Sequence, residues 1–266
     1  MIHRKSRVIR QIFCLFLVLA LFLSAVACKE QDDATVSSLA SETVSSEPEP
    51  QIMTDDSEHE SMASLYAKND QTVGWMKIEG TKTDNVVMQN KEDNYYWLDW
   101  KFDGSRADSG ELYIDSRCRM EPNYLSQNIT VYGHHMKNGT MMGQIKRYRD
   151  ISFYKEHPTF RFDSLYEKYE WKVFAVFIVD LTDPEDAAFD YRQPEYESEE
   201  AFLAFVDEIK RRSYIDCPGV DIRGDDRIVC LSTCTYVSED ARLVVVARKV
   251  RDGESAEVDV SQAKNK

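Results

Sequence analysis

Short runs of β-branched and aromatic residues recur along the chain after residue 70 and are separated by Asp, Asn, Gly or Pro. Runs of this kind predict β-strands, because branched and aromatic side chains suit a pleated, half-buried surface. Eight of them are VGWMKI, NVVMQ, ELYID, NITVYG, TFRFDS, EWKVFAVFIVD, DRIVCLST and RLVVVARKV. About eight short strands are typical of a closed barrel or a sandwich, so we expect a mainly β fold.

Apolar residues at helical spacing predict three helices among these strands. SMASLYAKN precedes the first strand and places Met62, Leu65 and Tyr66 on one face. GTMMGQIKRY follows the fourth strand and repeats this spacing with two methionines, an isoleucine and a tyrosine. SEEAFLAFVDEIKRRS, the longest of the three, follows the sixth strand.

This longest predicted helix has favourable signals at both ends. Ser198 suits the N-cap, acidic residues follow it, and basic residues fill the last turn, as the helix dipole prefers. Its apolar stripe consists of Phe202, Phe205, Val206 and Ile209. The helix lies in a long excursion, from about Leu181 to Asp226, before the strand that contains Cys234. Long excursions on barrels are often functional, and a helix that only packs on the exterior is the alternative.

The amino terminus has the pattern of an export signal. Basic residues up to Arg10 precede an apolar run of about 16 residues, shorter than the roughly 20 that a spanning helix prefers. SAVAC, ending at Cys28, resembles a bacterial lipoprotein cleavage site. A lipid anchor on Cys28 and an uncleaved signal anchor both remain open. Either would hold the protein by its N-terminus on the outer face of a membrane.

Composition divides the chain into four parts. After the signal peptide or membrane anchor at 1–28, Ser, Glu, Asp, Thr and Pro dominate, which predicts a disordered polar linker at 29–60. One folded domain is expected at 61–253, followed by a polar C-terminal tail at 254–266. The net charge of −14 argues against nucleic acid as a partner, because attraction to phosphates needs a basic surface.

Four of the six cysteines lie in the predicted domain: Cys118, Cys217, Cys230 and Cys234. Cys230 and Cys234 would be ~13 Å apart on one strand, beyond the reach of a disulfide. Pairing of Cys118 with Cys217 stays open. A metal site built from Cys230, Cys234 and the histidines of VYGHH fits tetrahedral geometry poorly, so we expect no metal.

A thiol acts as a nucleophile only as the thiolate, so a catalytic cysteine needs a base or a positive charge nearby. VYGHH presents His134 and His135 at the end of a strand, and ARLVVV begins another strand with Arg242, whose guanidinium could hold an oxyanion. Each residue also has an ordinary explanation. Cys234 could be a buried small hydrophobe, and the histidines and the arginine could be surface groups.

In combination, VYGHH, LSTC and ARLVVV resemble the sortase family of cysteine transpeptidases. The family motif is T-L-x-T-C, and this chain has Cys230 at its first position. TVGWMKIEGTKTDNVVMQ, NYYWLDWKFDG, GELYID and the helix-bearing excursion look like class B sortases. The resemblance implies a closed eight-stranded sortase-type barrel, with an N-terminal helix and a helix-bearing loop before the catalytic cysteine strand, and makes 61–253 the catalytic domain.

The resemblance also implies roles for individual residues. Cys234 would be the nucleophile, His134 the general acid and base, and Arg242 the group that orients the signal peptide and stabilises the oxyanion. Thr233, Thr235 and Leu231 are expected at the substrate site, and the backbone N–H of Thr235 is a possible second oxyanion donor. His135 competes with His134, but neighbouring strand residues point to opposite faces and the family pattern favours the first.

Such an enzyme would cleave the C-terminal sorting signal of surface proteins, of the Asn-Pro-x-Thr-x type, through a thioacyl intermediate. It would then transfer the protein to a peptidoglycan or pilin amine on the outer face of the cytoplasmic membrane of a Gram-positive bacterium, without a cofactor. Papain-like peptidases place cysteine before histidine, opposite to the order here. The alternative outside enzymes is a membrane-anchored β-barrel binding module that lacks catalytic activity.

Overall fold

The computed structural model describes residues 50–56, 59–235 and 240–266. The strands in this part of the chain are β1 (Thr72–Lys77), β2 (Asp84–Met88), β3 (Leu112–Ile114), β4 (Met120–Glu121), β5 (Tyr124–Leu125), β6 (Asn128–Tyr132), β7 (Thr159–Ser164), β8 (Glu170–Asp180), β9 (Ile215–Asp216), β10 (Ile228–Cys234), β11 (Ala241–Lys249) and β12 (Lys264–Asn265). The α-helices are α1 (Met62–Lys68), α2 (Ile151–Glu156), α3 (Pro184–Ala188) and α4 (Glu199–Arg212), and 3-10 turns span Tyr96–Leu98 and Ile145–Arg149.

Eight strands close into a barrel in the order β1-β2-β3-β6-β10-β11-β8-β7. These are the eight strands that the sequence predicts, so the expected mainly β, closed eight-stranded fold is confirmed. Helix α1 precedes the barrel, and α3 and α4 lie in the excursion between β8 and β10.

Strand β10 lies between β6 and β11, and this arrangement positions the site. β10 runs parallel to β6, with Ser232 opposite Tyr132, and antiparallel to β11, with Cys234 opposite Arg242. The end of β10 is therefore next to the end of β6 and the start of β11. Because the chain continues from Tyr132 through Gly133 to His134, residues far apart in sequence meet at one end of the barrel.

Both faces of β10 are covered over most of its length. Val229 and Leu231 are part of the core inside the barrel, whereas Cys230 packs in a second core with α4. Burial on both faces explains why the strand is an almost continuous apolar run. Every second residue of a strand shares one face, so Cys230, Ser232 and Cys234 point to the same side of β10. This face is buried at Cys230 and Ser232 and becomes exposed at Cys234.

Helix α4 forms as the sequence predicts. The Ser198 hydroxyl accepts a hydrogen bond from the Ala201 N–H at 3.2 Å, and acidic and basic residues fill the first and last turns. Phe202, Val206 and Ile209 are buried against β8 and β10, and Phe205 is partly buried. The long excursion therefore packs on the barrel by the stripe that its sequence indicates.

The helix predicted over GTMMGQIKRY is largely wrong. The chain makes a tight loop there, followed by the 3-10 turn at Ile145–Arg149 and by α2, which the sequence analysis did not identify. Met141 adopts a positive φ of 54°, a conformation that an α-helix cannot contain. A long-range contact holds it, because the Thr83 hydroxyl donates to the Met141 carbonyl.

The ends of the described chain pack on the barrel. Ile52 and Met53 lie in the segment predicted as linker, but they pack against the core beside α1. They are apolar, so burial removes their side chains from water. Beyond residue 253, Ala263 is buried and β12 pairs with β9. Residues 1–49, including the predicted signal and Cys28, lie outside the described residues. None of the helices within the described ranges has the length and apolar character that crossing a bilayer requires.

Candidate active site

Cys234, Arg242 and His134 line one cleft of about 390 Å³ at the end of the barrel. Cys234 is exposed at the end of β10, and Arg242 is its direct cross-strand partner on β11. His134 follows β6 by two residues and is half-buried. The structure therefore brings together the three residues that the sequence analysis selected.

Cys234 differs from the other described cysteines in its exposure. All four described cysteines are free thiols, and three of them are buried. Burial raises the pKa of Cys217 to about 11 and that of Cys118 to about 12, and it raises the pKa of Cys230 as well. These three therefore stay protonated at neutral pH, and Cys234 is the described cysteine that a substrate can reach.

The two adjacent histidines face different surfaces. His134 lines the cleft, and its Nε2 lies 2.9 Å from the Leu98 carbonyl oxygen. Because a carbonyl only accepts, that nitrogen carries the proton in this contact, which leaves Nδ1 as the basic nitrogen of the neutral ring. His135 lines a separate groove, and its Nδ1 lies 2.9 Å from the carbonyl oxygen of Cys234. The geometry favours His134 as the acid and base partner of the thiol.

The three expected substrate-site residues have different positions. Thr233 lines the cleft, and its hydroxyl donates to the Gly133 carbonyl at 2.7 Å, which ties β10 to the residue before His134. Leu231 is fully buried in the barrel core, so the structure does not bring it to the substrate surface. The Thr235 N–H donates to the Ala241 carbonyl at 3.1 Å, so it is not free to serve as a second oxyanion donor.

A buried carboxylate next to the cleft was missed by the sequence analysis. Asp115 is 2% exposed; it accepts a hydrogen bond from the Tyr132 hydroxyl at 2.7 Å and two from the Arg117 guanidinium, at 2.9 and 3.1 Å. Burial alone would raise the pKa of Asp115, but the bonds from Arg117 and Tyr132 outweigh it and keep the pKa low. The motif DSR after the third strand is the only trace of this group in the sequence.

The excursion supplies one wall of the cleft. Tyr191 is buried, and its hydroxyl lies 2.9 Å from the Ser232 hydroxyl oxygen, two residues before Cys234. Arg117 donates to the Arg192 carbonyl at 3.1 Å and so links this wall to Asp115. The aromatic rings of Tyr95, Tyr113, Tyr132 and Tyr191 also line the cleft. Aromatic walls with a few polar groups suit the binding of an extended peptide.

Within residues 50–56, 59–235 and 240–266, no three His, Cys, Asp or Glu side chains are grouped so that they could hold a metal ion. The cleft brings a thiol, an imidazole and a guanidinium together on one surface, through Cys234, His134 and Arg242. These groups can perform nucleophilic attack on a carbonyl, transfer a proton and stabilise an oxyanion.

Comparisons with known proteins agree on one family. A family model described as a sortase domain matches residues 76–250. Sortase B of Staphylococcus aureus is 33% identical over 190 residues, 71% of this chain and 74% of that protein, and sortase B of Listeria monocytogenes is 32% identical over 191 residues, with the same shares.

Solved structures give the same result. The X-ray structure of Clostridium perfringens sortase B matches with a TM-score of 0.65 and 30% identity, over 72% of this chain and 100% of that one. A Staphylococcus aureus sortase B–substrate complex matches with a TM-score of 0.64 and 33% identity, over 71% of this chain and 84% of that one. The chain therefore belongs to the sortase family and, within it, to the class B sortases, which are cysteine transpeptidases.

Proposed function

We propose that this transpeptidase cleaves the C-terminal sorting signal of surface proteins, of the Asn-Pro-x-Thr-x type, and transfers them to a cell-wall or pilin amine. Sortases act on sorting-signal peptides with amine acceptors in the cell envelope of Gram-positive bacteria. The observation that carries the proposal is the single cleft lined by exposed Cys234, by Arg242 and by His134.

In the first half-reaction, the thiolate of Cys234 attacks the carbonyl carbon of the peptide bond that joins the threonine of the signal to the next residue. The carbonyl oxygen becomes an oxyanion, which the Arg242 guanidinium stabilises. The bond between this carbon and the leaving nitrogen then breaks, and protonated His134 gives its proton to that nitrogen. The products are a free amine and a thioacyl bond to Cys234.

In the second half-reaction, an incoming amine attacks the thioacyl carbon. Neutral His134 takes a proton from the amine nitrogen, and the carbon–sulfur bond breaks to regenerate the thiolate. The acceptor is thereby joined to the surface protein through a new amide. Proton and thiolate return to their starting states, so the cycle needs no cofactor.

The proposed setting is the outer face of the cytoplasmic membrane. Support comes from the sequence alone, since the basic and apolar N-terminus and Cys28 have the pattern of an export signal or a lipid anchor. We also propose that 61–253 form the catalytic domain, with the polar segment at 29–60 as a spacer whose described end, at Ile52 and Met53, packs on that domain. The fold and the family match over residues 76–250 support the assignment of the catalytic domain.

Mass spectrometry of the purified protein with a panel of Asn-Pro-x-Thr-x peptides tests the proposal. We expect a thioacyl adduct on Cys234 and its transfer to an added amine, both absent in Cys234→Ala. A protein that cleaves none of the peptides, and whose Cys234 they do not protect from alkylation, would instead be an anchored binding module.

A further inference from the structure

A second concave surface lies beside the active-site cleft. It is a groove of about 700 Å³ between the loop after β6 and the turn before β2, and its polar lining includes Lys82, His135, Lys137, Asn138, Gln144 and Lys146. His134 lines the cleft and His135 lines the groove, and His135 contacts the Cys234 carbonyl oxygen. Through His135, the groove therefore adjoins the backbone of Cys234.

The groove is cationic in a protein that is anionic overall. The chain has a net charge of −14, yet residues 134–149 contain two histidines, two lysines and two arginines and no Asp or Glu. In the described part of the chain, no carboxylate lies within ion-pair distance of Lys82, Lys137 or Lys146. A concave surface with charges of one sign raises the local concentration of ligands with the opposite sign.

Contacts between its two walls fix the shape of the groove. The Lys82 backbone N–H donates to the Gln144 side chain at 2.8 Å, and the Lys82 ammonium donates to the Asn138 carbonyl at 2.9 Å. The loop contains Met141 at a φ of 54°, held by the bond from Thr83. Strained backbone that persists because its surroundings hold it is frequent at ligand sites.

We propose that this groove binds the amine acceptor of the second half-reaction through carboxylates that the acceptor carries. The inference rests on the proposed function, because the acceptor must reach the thioacyl carbon while the acyl chain occupies the cleft. A groove next to Cys234 offers that approach. Its lysines favour an amine on a peptide with free carboxylates over the same amine on a neutral peptide.

Anionic phosphates of a membrane surface would also be attracted to these lysines. The neighbouring arginines argue for the smaller ligand, because they are already engaged away from the groove. Arg147 stacks on the Phe153 ring at 4.1 Å, and Arg149 on the Tyr214 ring at 4.9 Å. The charges that remain in the groove are those of Lys82, Lys137 and Lys146, and they line a concave surface. A concave surface suits a short peptide better than a flat membrane.

Transfer kinetics with a matched pair of acceptors test the proposal. Gly-Gly-Glu and Gly-Gly-Gln amide present the same amine, and the second lacks both carboxylates. We expect Lys137→Glu and Lys146→Glu to raise KM for Gly-Gly-Glu by about 3- to 10-fold, with little change for the amide and none in hydrolysis of the signal peptide without acceptor. Lys155→Glu, on α2 and outside the groove, is the control and should behave as the unmodified protein.

Titration calorimetry of the full chain with Gly-Gly-Glu separates this proposal from the proposed function. Binding that Lys137→Glu weakens supports the groove, even in a protein that cleaves no signal peptide. Equal KM values for the two acceptors in an active enzyme would overturn the groove and leave the transpeptidase proposal intact. Loss of binding to phosphatidylglycerol vesicles in the lysine variants, with unchanged acceptor KM, would also overturn it and assign the groove to the membrane surface.

Discussion

At the level of single residues, two adjacent histidines have different access to the thiol. His134 lines the cleft with Cys234, whereas His135 lines the groove and lies against the backbone carbonyl of Cys234. We expect His134→Ala to lower the rate of signal-peptide cleavage by about 100- to 10,000-fold, because the general acid is lost. His135→Ala should retain most of the activity.

Initial rates for the two variants with one fluorogenic signal peptide make the comparison. Alkylation of Cys234 in each variant controls for loss of the folded site. An inactive His135 variant next to an active His134 variant would reverse the assignment.

The Thr233 hydroxyl supports the site through a hydrogen bond, and replacing this hydroxyl with a methyl group tests that role. Its hydroxyl donates to the buried Gly133 carbonyl, next to His134. Thr233→Val keeps the shape but removes the donor, so we expect a loss of about 1 to 2 kcal/mol in the free energy of unfolding and slower cleavage. Thr233→Ser keeps the hydroxyl and should restore both. Urea denaturation and cleavage rates measure the two effects, and a valine variant with full stability and activity would contradict the role.

At the level of elements, Arg117 joins the excursion to the barrel. It makes a two-point bond with Asp115 and donates to the Arg192 carbonyl in the wall that contains Tyr191. Arg117→Lys keeps the charge but loses the planar fork. We expect KM for the signal peptide to rise about 3- to 10-fold with a smaller change in kcat, because the wall is displaced and the reacting groups are not.

Arg119→Lys is the matched control for this prediction. Arg119 is exposed, pairs with Glu121 on β4 and is not among the residues that line the cleft. Equal KM values for the two variants would show that Arg117 does not hold the wall in place.

The elements that the sequence predicts correctly are those with a local cause. Eight strands follow from branched and aromatic runs, and α4 follows from its cap and its apolar stripe. The segment around Met141 was predicted as a helix because its spacing is helical, but a contact with Thr83 holds it in a tight loop. Contacts between distant residues of this kind leave no local pattern in the sequence.

The same distinction applies to the site. Cys234, His134 and Arg242 were found because their motifs lie at strand ends, and the fold brings them to one cleft. Leu231 was expected near the substrate from its place in the motif, but β10 is covered on both faces and the residue is buried. Asp115 and Arg117 act through Tyr132 and Arg192, which a single sequence cannot connect to them.

At the level of the whole molecule, Glu254 holds two barrel strands to the C-terminal segment. It accepts bonds of 2.7 Å from Arg248 on β11 and Lys172 on β8, and both cations are almost fully buried. The bonds from Arg248, followed by that from Lys172, hold the pKa of Glu254 far below its ordinary value of 4.5. Residue 254 is therefore an integral part of the barrel.

The lowered pKa of Glu254 predicts how stability depends on pH. A carboxylate with a lowered folded-state pKa stabilises the protein fully above its unfolded-state pKa, and this contribution is lost as the pH falls toward the folded-state pKa. Glu254→Gln should cost about 2 to 4 kcal/mol at pH 7, because two buried cations lose the charge of the carboxylate that bonds to both. The cost should shrink below pH 4.

Urea denaturation at pH 7 and pH 3 measures this difference. Glu257→Gln, an exposed neighbour, should cost almost nothing at either pH. A Glu254 variant with the same loss at both pH values would contradict the electrostatic explanation.

The parallel pairing of β6 with β10 has a consequence for folding kinetics. Tyr132 and Ser232 pair although they are 100 positions apart in the sequence, and the chain between them contains β7, β8 and the excursion. Pairings of such high contact order form slowly. After dilution from denaturant, far-UV circular dichroism should recover first, and the capacity to form the thioacyl adduct should return only with the slowest refolding phase.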